Sequence, residues 1–164
     1  MQWELITNII LIIAILTLGV FAVLGLYQWI KRKSIVKVDR ELVWMLLPLM
    51  LMAITYFIFN KLLILSTRPN GSGDASFPSS HVMVVTTIFF LTTLILPKYI
   101  KSKTTRIILE VLMFIGISLT CVGRVLADLH WPADVIGGVA FAFIFSEIYF
   151  QTIKYQKKSK KAKK

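Results

Sequence analysis

A single cysteine, Cys121, stands in the chain, so an intrachain disulfide is excluded and no cysteine spacing for a metal cluster exists. Charge is scarce too: 16% of the 164 residues are charged, where a soluble domain carries roughly 25%, which argues against a water-soluble globule. Acidic residues are scarcer still, 8 against 19 Lys and Arg, for a net charge of +11. In a soluble chain that excess would suggest a nucleic-acid groove. Here the basic residues fall between apolar runs, and no nucleic-acid partner is expected. Met1 to Glu4 carry no basic n-region and no small-residue cleavage site follows, so the first apolar run reads as a retained segment and not as a signal peptide.

Apolar residues make up 57% of the chain. They gather into five runs, at about 5–30, 42–65, 81–97, 107–125 and 134–153, near or beyond the roughly 20 residues that cross a bilayer as helix. The expected fold is an all-α integral membrane domain over 1–153, a five-span helical bundle, followed by a basic tail at 154–164. Residues 66–80, STRPNGSGDASFPSS, read as an irregular loop.

Five spans put the chain ends on opposite sides. Of the 19 Lys and Arg, sixteen lie in the connector 31–41, the turn 98–106 and the tail. By the positive-inside rule that face is cytoplasmic, with the C-terminus inside and the N-terminus outside a cell membrane. Trp3 and Trp131 at one interface, and Trp29 and Trp44 at the other, fit aromatic belts.

The remaining three cations, Lys61, Arg68 and Arg124, share the outer face with both histidines, His81 and His130, and with Asp74, Asp128 and Asp134. Cations with two imidazoles and a carboxylate suit binding a phosphate and transferring it through a covalent histidine. His130 and Asp134 are four apart, so on a helix that starts by His130 the carboxylate would hold one ring nitrogen and leave the other to attack. His81 follows Pro78, Ser79 and Ser80 at a helix mouth, where free backbone N–H groups favour an anion and a histidine can protonate a leaving oxygen.

KLLILSTRP (Lys61 to Pro69), PSSH (Pro78 to His81) and GRVLADLHWPAD (Gly123 to Asp134) resemble, in order and internal spacing, the three signatures of the type 2 phosphatidic acid phosphatase superfamily. The resemblance implies a metal-independent lipid phosphatase without cofactor. His130 would be the nucleophile that becomes a phosphohistidine, Asp134 its orienting partner and His81 the general acid. Lys61, Arg68, Arg124, Ser79 and the backbone from Ser80 would bind phosphate. Ser80 stands where the family has glycine, which a helix start tolerates because it needs no positive φ. Gly123 stands where serine is usual, so a hydroxyl is lost.

Family lipid phosphatases commonly have six spans. This chain offers five and lacks the usual first, which places the catalytic face outside. The substrates implied are a polyprenyl diphosphate such as undecaprenyl diphosphate, phosphatidylglycerophosphate and phosphatidic acid, in that order. A lipid phosphotransferase and a non-catalytic phospholipid-binding or scrambling protein remain open, as does the oligomeric state. Elsewhere, Glu110 is expected to pair with Arg106, and Gly137 and Gly138 to allow close helix packing.

Overall fold

The protein is described by a computed structural model covering residues 2–162; the last two lysines of the expected tail lie outside the described residues. Its helices are α1 (Gln2–Arg32), α2 (Arg40–Trp44), α3 (Leu46–Phe57), α4 (Ser80–Tyr99), α5 (Lys103–Leu126) and α6 (Pro132–Ala162), and α3 runs on through a π-helical turn at Ile58–Leu62. Five helical segments are long and apolar enough to cross a membrane, with Arg40–Leu62 serving as one. The five-span all-α bundle expected from the apolar runs is therefore present.

Each helix follows local chemistry. α1 carries Glu4 in its first turn and Lys31 and Arg32 in its last, matching the helix dipole at both ends. The second span breaks at Met45 because Pro48 has no N–H to give the Trp44 carbonyl three to four residues back. Ser102 caps α5, its hydroxyl accepting from the Thr105 N–H at 3.2 Å. The basic segment from 154 continues α6 as far as Ala162, since no Gly or Pro follows Gly138 to stop the helix.

α4 is the axis of the bundle. In its apolar window 61% of residues are buried, against 11% for α1, whose outer stripe is left to lipid. Ile10 and Ala14 of α1, Val85, Ile88 and Phe89 of α4 and Ile117 of α5 form one core cluster. Leu42, Met45, Leu91, Ile95, Tyr149 and Ile153 form another, toward the opposite end. Small residues permit close approach, as in membrane bundles generally. A Cβ on Gly138 of α6 would lie 2.8 Å from the Ser79 carbonyl oxygen, and one on Gly137 would run into the Phe77 ring. That is the close packing expected of the glycine pair, made against the entrance of α4.

Between the π turn and α4 the chain folds back on itself. Thr67 and Ala75 form an antiparallel bridge, the Ser76 N–H donates to Ser66 O at 2.9 Å and the Arg68 N–H to Asp74 O at 3.1 Å. Gly71 and Gly73 make the reversal at φ 74° and 76°, a region that costs other residues energy. This short hairpin lies over the ends of α4 and α6 and supplies half of the polar site.

Candidate active site

Arg124, in the last turn of α5, is buried, and its carbonyl accepts the N–H groups of Leu129 and His130 at 3.2 and 3.3 Å. The turn between them is possible because Asp128 adopts φ 53°, a left-handed conformation aspartate tolerates better than most residues. The guanidinium and the imidazole are thus locked together by six residues of chain.

His130 is 2% exposed. Its Nδ1 lies 2.9 Å from the Ser76 carbonyl and 3.3 Å from Ser76 Oγ. A carbonyl only accepts, so Nδ1 carries the proton and Nε2 is left with its lone pair. Nε2 is buried and has no partner among the described residues. Burial, then the positive charges of Arg124 and Arg68, push the imidazole down to about 4, against the opposing pull of Asp134 and the Ser76 carbonyl. At neutral pH the ring is uncharged.

Asp134 corrects the helical-pair expectation. α6 begins at Pro132, after His130, so the two do not share a helix face. The carboxylate is 3.7 Å from Nδ1, beyond hydrogen-bond range. It instead accepts from Ser76 Oγ, from the Trp131 N–H at 2.8 Å and from Ser66 Oγ at 3.2 Å, while its own carbonyl accepts the Ser79 N–H at 3.0 Å. Asp134 therefore reaches His130 through Ser76 and fastens α6, the hairpin and the start of α4 to one another.

His81 lies half-buried in the first turn of α4, and its Nε2 is 3.0 Å from Asn8 Oδ1 of α1. Arg68 meets Asp74 across 3.8 Å, with the Asp74 side chain 63% exposed in the loop. Ser79 is fully buried, and its Oγ, like Arg68 Nε and Arg124 Nε, has no hydrogen-bond partner among the described residues. Ser80 opens the helix without positive φ, as its place in the PSSH motif allows. Lys61 is exposed in the π turn and forms no hydrogen bond or ion pair among the described residues, so it is not joined to the others.

Sequence reasoning missed Ser66, Ser76, Asn8 and Thr7. A Cβ on Gly123 would lie 2.7 Å from Thr7 Cγ2, which is why glycine stands there: α1 occupies the space a side chain would need. The expected Arg106–Glu110 pair does not form; Arg106 Nε is buried without a partner.

A family model described as the PAP2 superfamily matches residues 56–158. Among solved structures, the chain is similar to that of a transmembrane PAP2-type phosphatidylglycerolphosphate phosphatase from Bacillus subtilis. The TM-score is 0.71 at 16% identity, over 94% of this chain and 77% of that one. No curated protein matches the sequence significantly.

Proposed function

The chain belongs to the PAP2 superfamily and is a lipid phosphatase, and we propose that it hydrolyses a lipid phosphate or diphosphate through a phosphohistidine on His130. One observation carries this reading. A buried, neutral imidazole has Nδ1–H tied to Ser76 and a lone pair on Nε2 with nothing to bind, beside two guanidiniums and a serine hydroxyl whose buried polar atoms are also unpaired.

Nε2 attacks phosphorus as the bond to the lipid-side oxygen breaks, and His81, entering the step as the imidazolium, gives that oxygen a proton and is left neutral. Arg68, Arg124, Ser79 and the N–H groups at the start of α4 from Ser80 neutralise and orient the equatorial oxygens, as fixed cations and dipoles do in other phosphoryl transfers. Water, deprotonated by His81, then splits the phosphorus–nitrogen bond. Phosphate leaves and both imidazoles return to their starting states. Lys61 adds a third cation at the rim when its flexible stem turns toward a bound headgroup. No metal or cofactor enters this scheme.

A polyprenyl diphosphate such as undecaprenyl diphosphate, a small headgroup whose chain stays in the bilayer, is the substrate placed first. Phosphatidylglycerophosphate is second, favoured by the likeness to the solved phosphatase of that specificity. The site faces outward across a cell membrane, with the N-terminus outside.

The test is phosphate release by purified protein in mixed micelles containing EDTA, with both lipids and phosphatidic acid compared and His130→Ala run beside the parent. Release that requires His130, with acid-labile phosphate trapped on the parent, supports the reading. Transfer of phosphate to an acceptor lipid would indicate a phosphotransferase, and no turnover by folded protein would indicate a binding or scrambling role.

A further inference from the structure

We propose that the end of the bundle opposite His130 holds a second lipid site, one that binds an anionic phospholipid without hydrolysing it. A cavity of about 360 Å³ there is lined by five cations, among them Lys37, Arg40 and Lys98, against two carboxylates, Asp39 and Glu41. It adjoins a cleft of about 570 Å³ that shares Glu41, Lys98, Ile153 and Lys157 and is otherwise walled largely by apolar groups of α4 and α6, Leu94, Ile95 and Phe150 among them. A charged pocket continuous with an apolar cleft between two membrane helices has the two-part chemistry of a phospholipid, headgroup and chain.

The carboxylates are already spent on holding the bundle. Asp39 accepts from Gln28 Nε2 at 3.0 Å and Tyr99 Oη at 2.8 Å, and pairs with Arg32 and Lys98 at 3.3 Å each. Burial alone would raise its carboxyl, but those hydrogen bonds and the Lys98 ammonium outweigh it and hold the group at about 2. Glu41 pairs with Lys98 and Lys157. Among the described residues Lys37 forms no side-chain pair, and Arg40 meets only the neutral Gln156 Oε1 at 3.2 Å. Their charge is left for an external anion. Orienting the chain requires basic residues on this side but does not require them around a cavity. Basic pockets between helices on such a face suit lipid phosphates. Both histidines lie at the other end, so no nucleophile of the His130 kind is here to cleave what binds.

Native mass spectrometry of the full chain, released from detergent with phosphatidylglycerol and phosphatidylcholine of identical chains, tests this. The parent retains phosphatidylglycerol about tenfold over phosphatidylcholine, and equimolar inorganic phosphate does not displace it. Lys37→Gln combined with Arg40→Gln removes the preference. Among the described residues neither side chain pairs with Asp39 or Glu41, and the Arg40–Gln156 hydrogen bond is exposed, so the variant keeps a Tm close to the parent's. Arg124→Gln leaves the preference intact. Equal retention of both lipids, displacement by phosphate, or loss with Arg124→Gln and not with the double variant would overturn the site.

Discussion

Ser76 holds His130 from two sides, its carbonyl taking the Nδ1 proton and its hydroxyl bridging to the Asp134 carboxylate. Ser76→Ala keeps the carbonyl and deletes the bridge. The loss of one hydrogen bond to a charged group is worth about 1.5–3 kcal/mol, so kcat should fall about 10- to 150-fold, with KM nearly unchanged because Ser76 is not placed against the phosphate. Steady-state kinetics decide it; a rise in KM with constant kcat would move Ser76 into the binding surface. A second expectation concerns pH. The His130 imidazole sits near 4 through burial and then the fields of Arg124 and Arg68. Its attacking, neutral form therefore persists well below the usual histidine range and is lost only as pH falls through that value. The acid limb of log(kcat/KM) should lie nearer 4 than 6.5. Arg124→Gln removes a neighbouring cation, so protonation becomes easier and the limb should move upward as the rate falls. An unmoved limb would assign it to another group.

At the scale of elements, the entrance of α4 is held by what α6 omits. Gly138 leaves only 2.8 Å between an added Cβ and a backbone oxygen, that of Ser79, which cannot swing aside as a side chain would. Gly138→Ala should cost about 1–3 kcal/mol by overpacking and shift Ser79, lowering both Tm and activity. Gly123→Ala meets a side chain, Thr7 Cγ2 at 2.7 Å. Thr7→Ser should therefore relieve much of its cost, giving a double-mutant coupling of about 0.5–2 kcal/mol in thermal or denaturant unfolding; strict additivity would separate the two sites.

These contacts mark where the sequence stopped being legible. The spans were readable because crossing a bilayer demands about 20 apolar residues in a row. Arg68, Ser79, His81, Arg124, His130 and Asp134 were readable because their motifs are local. Ser76 acts on a ring 54 positions away, Ser66 on a carboxylate 68 away and Asn8 on a histidine 73 away. No spacing rule spans such distances. The His130–Asp134 spacing pointed to the right pair but the wrong contact, because the helix starts two residues too late to put both on one face.

Across the whole molecule, the two ends of the bundle are chemically unlike. One gathers both histidines, Arg68 and Arg124; the other gathers Arg32, Lys37, Arg40, Lys98 and Lys157 about Asp39 and Glu41. In the orientation proposed from the positive-inside asymmetry, the second end lies in the cytoplasm and the phosphatase site outside. The lone cysteine makes this testable: in a Cys121→Ser background, single cysteines can be placed at Asn70, exposed in the hairpin of the site end, and at Lys101, exposed in the turn between α4 and α5. An impermeant maleimide applied to intact cells should label the cysteine at 70 and spare the one at 101, with both labelled after lysis. The reverse pattern would invert the chain in the membrane, put His130 in the cytoplasm and require substrates from the inner leaflet, while leaving the site's chemistry as described.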